Sequence, residues 1–132
     1  MVVLVALSAF IVDQVLKFVL LRFAPEYTFL STRTLIFSNS QATVISIIFL
    51  ILLFGLYLRD RGLLRGSFEG SLGIGLCFGG AFSNLLDRLW REGVLDISFG
   101  WFHTNLADVM VLVGLILLFW FYFSTSQRAS LK

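Results

Sequence analysis

Charged residues are scarce in this 132-residue chain and make up only 14% of it. A soluble globular domain carries about 25% charged residues. Hydrophobic residues account for 58% of the chain and aromatic residues for 16%, and the mean hydropathy is +0.94. This composition argues against a water-soluble domain, a disordered tail and a nucleic-acid-binding module, and it indicates an integral membrane protein. A chain of this length is expected to form one domain, residues 1–132.

Cysteine and histidine are almost absent as well. The one cysteine, Cys77, cannot form an intramolecular disulfide, and the one histidine, His103, cannot complete a zinc site with it. We therefore predict no metal ion and no cofactor, and we interpret Cys77 as an apolar residue packed within a helix. The motifs H-E-x-x-H and G-x-S-x-G are also missing, which argues against a metalloprotease and against a rhomboid-like serine protease.

What the chain does contain is four long hydrophobic runs. Each has close to the ~20 residues that a helix needs to cross the hydrocarbon layer of a membrane. The first run lacks a basic start and is interrupted by Asp13, Gln14 and Lys17, so we interpret it as a retained span and not as a cleaved signal peptide. The sequence predicts an all-α membrane protein with four transmembrane helices. These helices are expected at about residues 1–21, 42–58, 67–87 and 106–123.

The basic residues predict which side of the membrane each connection faces. The short connection Arg59–Arg65 lies on the same side as the C-terminal tail, and together they hold five of the ten basic residues, against four in the other two connections. Because basic connections stay on the cytoplasmic side, both termini are expected in the cytoplasm. The connections Arg22–Gln41 and Arg88–Asn105 then face outward. Within them, Thr32–Phe37 and Ile97–Phe102 have the composition of strands, which predicts a small extracytoplasmic β element.

The first predicted span contains charged side chains, which are costly inside a membrane. Asp13 and Lys17 are four residues apart, so they lie on one face of a helix and can pair. Two interpretations are open. The pair neutralises itself and snorkels toward the outer surface, or it supports a functional site. Gln14 adds a third polar group in the same turn and favours the second interpretation.

The third predicted span carries a stripe of small and polar residues at four-residue spacing: Ser71, Gly75, Gly79, Ser83 and Asp87. Close helix packing explains the glycines. Packing does not explain Asn84, Asp87 and Arg88, which bring an amide, a carboxylate and a guanidinium to the end of the same helix. A neighbouring arginine favours an ionised Asp87, which suits a structural anchor.

The fourth predicted span opens with Asn105 and Asp108, the same Asn-x-x-Asp spacing that ends the third. Helix capping by Asn105, with Asp108 near the positive end of the helix dipole, is one interpretation. A functional site is the other, because Asp87, Asp96 and Asp108 are all expected at the outward face. Paired carboxyl groups hydrolyse peptides in aspartic proteases, where the ionised group takes a proton from water and the protonated group donates to the carbonyl oxygen.

Four motifs in this order resemble the bacterial lipoprotein signal peptidases, also called signal peptidase II. They are D-Q-x-x-K (Asp13 to Lys17), N-x-x-D-R (Asn84 to Arg88), V-x-D (Val94 to Asp96) and N-x-A-D (Asn105 to Asp108). The resemblance implies an intramembrane aspartyl endopeptidase that removes the signal peptide from diacylglyceryl-modified prolipoproteins just before the lipidated cysteine. It implies that Asp96 and Asp108 are the catalytic pair.

The resemblance also implies a supporting or substrate-binding set, namely Asp13, Lys17, Asn39, Asn84, Asp87, Arg88 and Asn105. In this set Asp87 and Arg88 brace the site, the asparagines at 84 and 105 supply hydrogen bonds, and Asp13 with Lys17 binds or orients the substrate. Asn39 belongs to a degraded form of another family motif. The chain also departs from the family pattern at Ser83, where glycine is usual, and at Thr104, where phenylalanine is usual.

The resemblance implies partners and a location as well. The expected partners are lipidated prolipoproteins and membrane lipids, with no nucleic acid, and the chain is expected to act as a monomer. The expected location is the bacterial cytoplasmic (inner) membrane, with the active site toward the extracytoplasmic face. Two other functions stay open at this point. One is a catalytically silent scaffold or lipoprotein-binding relative, and the other is a small channel or proton-coupled transporter, since intramembrane acids also form proton relays.

Overall fold

The computed structural model describes residues 1–31, 38–98 and 103–130, with side chains as far as residue 127. Within these ranges the chain forms four α-helices and a small β-sheet, and all four predicted runs are helical. The elements are α1 (Val2–Phe23), a 3-10 turn (Pro25–Tyr27), β1 (Thr28–Ser31), α2 (Asn39–Gly66), α3 (Phe68–Trp90), β2 (Val94–Ser98), β3 (His103–Thr104) and α4 (Leu106–Ser130).

Among the described residues, three helices are long and apolar enough to cross a membrane. They are α1, α2 and the Leu106–Gln127 part of α4. Most of their large apolar side chains point outward, away from the rest of the protein. In water such surfaces would be unstable, whereas hydrocarbon solvates them at no cost, so the exposed surface agrees with the composition.

Helix α3 lies at the centre of the bundle and packs against each of the other three helices. Its glycines permit this close approach. A Cβ atom at Gly79 would lie 2.6 Å from the carbonyl oxygen of Ala6 on α1, and one at Gly80 would lie 2.5 Å from the carbonyl oxygen of Ala107 on α4. The packing role predicted for the small-residue stripe is therefore confirmed. Cys77 is fully buried in the same helix, as expected.

Helix α1 buries charged side chains and exposes apolar ones, which is the reverse of a helix in a soluble protein. Its buried residues are Val2, Ala9, Asp13 and Lys17, so half of this inward stripe is charged. The outward faces are mostly apolar, with Ser8 and, in the last turn, Arg22 as exposed polar residues. Since Asp13 and Lys17 are only 0% and 3% exposed, the pair does not snorkel to the outer surface.

The prediction that Arg59–Arg65 forms a connecting loop is wrong. Helix α2 continues through this segment to Gly66, with non-helical backbone angles only at Asp60. The Asp60 carboxylate accepts hydrogen bonds from Arg59 (2.8 and 3.0 Å) and from the Tyr122 hydroxyl of α4 (2.5 Å). Leu64 beyond the kink is fully buried in the apolar core. These contacts, together with the high helix propensity of leucine and arginine, keep the segment helical.

The β element is present as a three-stranded antiparallel sheet in the order β1-β2-β3. Its first strand, Thr28–Ser31, precedes the predicted Thr32–Phe37, which lies outside the described residues, as do residues 99–102 of the predicted hairpin. Strand β2 begins at Val94 and not at Ile97. It is the central strand, and it pairs Asp96 with Phe29 of β1.

Candidate active site

Asn105 connects the two acids of the predicted catalytic pair. Its Nδ2 donates a hydrogen bond to Oδ1 of Asp96 on the central strand (2.7 Å). Its Oδ1 accepts a hydrogen bond from the backbone N–H of Asp108 in the first turn of α4 (2.8 Å). Asn105 is therefore the N-cap of α4, which was one of the two interpretations left open by the sequence. Its buried side chain also links strand β2 to the start of α4.

The two acids remain accessible while the residues behind them are buried. Asp96 is half-buried and Asp108 is exposed, whereas Asn84 and Asn105 are buried. Burial raises the pKa of Asp96 above its usual value, although the Asn105 hydrogen bond and the nearby charges of Lys17, His103 and Arg88 lower it in part. Asp96 therefore keeps its proton to a higher pH than an ordinary aspartate.

Asn84 of α3 forms a hydrogen bond with the second acid, Asp108. Its Nδ2 donates to Oδ1 of Asp108 (2.7 Å), and its Oδ1 faces Nζ of Lys17 at 3.4 Å. The asparagine is thereby oriented with its donor side toward the carboxylate. In both acids a buried asparagine contacts Oδ1, and among the described residues no donor contacts Oδ2 of Asp96 or Asp108.

Asp13 of α1 secures the start of α4. Its Oδ1 accepts a hydrogen bond from the backbone N–H of Ala107 (2.9 Å), one of the first-turn amides that have no acceptor within the helix. Its Oδ2 forms an ion pair with Nζ of Lys17 (2.6 Å), which confirms the predicted i, i+4 pair. The helix that carries Asp108 is thus held at its end by a charged group from another helix.

Asp87 forms its direct ion pairs with residues other than the adjacent Arg88. Asp87 forms ion pairs with Lys17 (2.6 Å) and with Arg91 (2.5 Å). Arg91 is four residues away and lies on the same helical face, while the side chain of the adjacent Arg88 points elsewhere. Arg88 donates a hydrogen bond to Oγ of Ser46 on α2 (3.0 Å) and interacts electrostatically with Asp108, Asp96 and Asp87.

Asn39 is the first residue of α2 and is half-buried. Among the described residues, no hydrogen bond joins its side chain to either acid. Its backbone carbonyl accepts a hydrogen bond from the hydroxyl of Thr43 (2.8 Å). The structure therefore gathers the other predicted site residues around the start of α4 and leaves Asn39 apart from that cluster.

The site residues predicted from the sequence did not include Ser46, Ser83 or Arg91, and Gln14 was noted only as support for a site at Asp13 and Lys17. Ser83 was noted as part of the small-residue stripe and as a departure from a family pattern, yet its hydroxyl contacts Asp13 at 2.6 Å. Arg91 could have been found from its i, i+4 spacing to Asp87. Nothing in the sequence marks Ser46, because its contact with Arg88 joins residues 42 positions apart.

Comparison with known proteins bears on this cluster of acids and amides. The family model described as "Signal peptidase (SPase) II" matches residues 5–124. The chain belongs to the signal peptidase II family. Among curated relatives, the lipoprotein signal peptidase of Geobacillus thermodenitrificans is 32% identical over 100 residues, which cover 70% of this chain and 62% of the relative. The lipoprotein signal peptidase of Rickettsia conorii is 33% identical over 99 residues, which cover 69% of this chain and 46% of the relative.

The chain thus spans about half to three-fifths of the length of these signal peptidase II relatives. Its fold is shared along almost its whole length with a solved structure of a bacterial membrane enzyme, determined by the in meso method at 2.3 Å resolution. The TM-score is 0.76, the identity is 22%, and the match covers 96% of this chain and 90% of the other. At this identity the likeness shows a shared fold.

Proposed function

We propose that this protein is an intramembrane aspartyl endopeptidase that removes the signal peptide from diacylglyceryl-modified prolipoproteins just before the lipidated cysteine. The observation that carries the proposal is the Asn105 side chain, which contacts both Asp96 and the backbone of Asp108. Membership of the signal peptidase II family supports the substrate class. The accessibility of both acids supports a reaction at their surface.

In the proposed reaction Asp96 and Asp108 share one proton. The ionised carboxyl takes a proton from a water molecule, whose oxygen attacks the scissile carbonyl carbon, while the protonated carboxyl donates its proton to the carbonyl oxygen. The resulting tetrahedral intermediate then collapses and the C–N bond breaks. The departing amine of the cysteine takes up the proton of one carboxyl, and a hydroxyl of the intermediate returns its proton to the other carboxyl as the new carboxylic acid forms, so the pair again holds one proton. Because each Oδ1 is already held by an asparagine, we assign the proton and the water to the two Oδ2 atoms.

We assign the buried charges to positioning and not to direct substrate contact. Asp13, Lys17 and Asp87 are at most 3% exposed, and each is bonded to groups within the protein. Arg88 is half-buried near both acids and braces the site from the α2 side through Ser46. Asn39 lies seven residues before Ser46, about 10 Å further along α2, which leaves it as a candidate contact for the substrate.

We also propose that α3 is a fourth membrane span. Its 23 residues reach about 34 Å at 1.5 Å per residue, which matches a hydrocarbon layer about 30 Å thick. Its lower hydrophobicity has a physical reason, because α3 packs against the other three helices and buries more than half of its residues in the protein. Four spans would put both termini on the same side of the membrane, and the basic residues of Arg59–Arg65 and the C-terminal tail favour the cytoplasm as that side. We therefore propose a single monomeric domain in a bacterial inner membrane, with the acids on the extracytoplasmic side.

The first test of this function uses a matched pair of precursors. The purified protein, in vesicles, is expected to cleave a prolipoprotein peptide that carries a diacylglyceryl cysteine, and mass spectrometry should find that cysteine as the new N-terminus. The same peptide with a free thiol should be cleaved about 100-fold more slowly, because buried acyl chains contribute ~0.8 kcal/mol per CH₂ to binding. Comparable turnover of the two peptides would refute the lipid requirement. Binding without cleavage would instead indicate a silent relative.

A second prediction concerns pH and the variant Asn105→Ser. Serine can still cap α4, but it cannot replace the hydrogen bond that lowers the pKa of Asp96. Losing this hydrogen bond to the carboxylate should raise that pKa further. The pair then holds its shared proton to a higher pH, so the alkaline limb of the kcat/KM profile should move to higher pH. An unchanged limb, or one that moves down, would contradict the role of Asp96.

A further inference from the structure

A buried serine hydroxyl lies between two polar residues of α1. Ser83 of α3 is fully buried, and its Oγ donates a hydrogen bond to Oδ2 of Asp13 (2.6 Å). The same Oγ accepts a hydrogen bond from Nε2 of Gln14 (2.8 Å). Nε2 of Gln14 also donates to Oδ1 of Asp87 (3.1 Å). Ser83 and Gln14 therefore connect the two buried carboxylates that Lys17 neutralises.

The orientation of Asp13 depends on these contacts. Its Oδ1 accepts the backbone N–H of Ala107 (2.9 Å), while Oδ2 is held from two directions by Lys17 and by Ser83. The lysine is a charge on a flexible stem, whereas the serine hydroxyl extends from the backbone of the central helix by a single rotatable bond. Ser83 is thus the more rigid of the two donors that set the plane of the Asp13 carboxylate.

The start of α4 lies directly against this part of α3. The space at Gly80 lets the carbonyl oxygen of Ala107 approach so closely that a Cβ there would be 2.5 Å from it. Ala107 immediately precedes Asp108, so any shift of its amide moves the acid as well. A displacement of even 1 Å of a reacting group lowers catalytic rates strongly.

We propose that Ser83 and Gln14 are positioning residues that act on Asp108 through Asp13 and the Ala107 amide. The expected effect on kcat rests on the proposed peptidase function. The expected effect on the position of α4 rests on the hydrogen bonds alone. Ser83 fixes the Asp13 carboxylate, Asp13 fixes the first turn of α4, and that turn fixes Asp108. Gln14 keeps the serine hydroxyl directed toward Asp13 by occupying its acceptor position.

The chain offers a matched control for the variant Ser83→Ala. Ser71 is also on α3 and fully buried, and its hydroxyl donates a hydrogen bond to the carbonyl oxygen of Leu64 (2.7 Å). Ser71→Ala therefore removes the same group at the same burial, about three helical turns from Ser83 along α3. We expect Ser83→Ala to lower kcat on the lipidated precursor about tenfold with little change in KM. Ser71→Ala should leave both constants unchanged.

Amide hydrogen exchange tests the structural step without any catalysis. The Ala107 amide has no acceptor within α4, so its protection reports its bond to Asp13. In Ser83→Ala we expect this amide to exchange about tenfold faster, while the Asp108 amide, held by Asn105, serves as an internal reference. Gln14→Met should change kcat and exchange in the same direction but less. If Ser83→Ala does not fold, the same measurements on Gln14→Met test the proposal.

The outcomes separate this inference from the function on which it rests. If the parental protein does not cleave, the peptidase proposal fails, and the exchange of Ala107 still decides whether Ser83 positions α4. If the parental protein cleaves and Ser83→Ala matches Ser71→Ala in kcat and in Ala107 exchange, the positioning role is refuted. An equal loss of kcat in both serine variants would show a general effect of stability and would also refute it.

Discussion

Replacement of Asp96 or Asp108 by asparagine is expected to lower kcat on the lipidated precursor by about 10²–10⁴-fold, the contribution typical of general acid–base groups. Asparagine has nearly the same shape as aspartate but can neither share the proton nor take one from water. At each site the contacts to Asn84 or Asn105 involve one carboxyl oxygen, which an amide oxygen can replace. The variants should therefore keep their fold in detergent.

We would measure the initial rate at which each variant cleaves a fluorescently labelled form of the lipidated precursor. The thermal unfolding of each variant would be measured as well, to show that it is folded. Glu92→Gln is the matched control, because Glu92 is an exposed acid that lies between α3 and β2, close in sequence to Asp96. It should cleave at the parental rate. If either aspartate variant also cleaved at the parental rate, the pair would not be the catalytic acids. Ion or solute flux through vesicles that contain the parental protein, without any precursor, would point to a transporter.

The second large effect is expected from Lys17→Met. Lys17 forms ion pairs with Asp13 and Asp87, all three at most 3% exposed. Removing the lysine leaves buried negative charge without its partner, and the free energy of unfolding should fall by about 3–5 kcal/mol. Methionine fills much of the same space, so the loss is electrostatic in origin. Thermal unfolding in detergent would measure it as a lower Tm.

A double variant tests that explanation. Adding Asp13→Asn to Lys17→Met removes one of the unpaired charges, while Asp87 keeps its ion pair with Arg91 (2.5 Å). The double variant should be more stable than Lys17→Met alone, which is the non-additivity expected for contacting groups. Arg22→Met is the control, because Arg22 is an exposed cation on the same helix. A double variant that is less stable than the single one would contradict the electrostatic account.

Most of the helices could be predicted from local patterns, whereas the two proposed catalytic acids were assigned through the resemblance to one family. Hydrophobic runs of about 20 residues predict spanning helices because length and apolarity decide membrane insertion. The i, i+4 spacing of Asp13 and Lys17 predicted their pairing correctly, since residues at that spacing always share a helical face. The cap at Asn105 was also accessible from the sequence, because it joins Asn105 to the amide only three residues later.

The errors have a common cause, which is that contacts between helices depend on side-chain direction. Arg88 is adjacent to Asp87 in the sequence but bonds to Ser46, while Arg91 and Lys17 neutralise Asp87. The segment Arg59–Arg65 has the charges of a loop, yet Tyr122 and the buried Leu64 keep it helical. Such outcomes depend on which faces meet after the helices have packed.

The sequence by itself determined that this is a membrane protein, where its helices lie, and that Asp96 and Asp108 belong to motifs of one family. These properties are local, because they depend on hydrophobicity and on spacing along a single helix. Only the tertiary structure decided that Asn105 joins the two acids, that Asp13 holds the start of α4, and that Ser83 holds Asp13. Those contacts join residues 9 to 94 positions apart, and they form only when α3 brings the outer helices together.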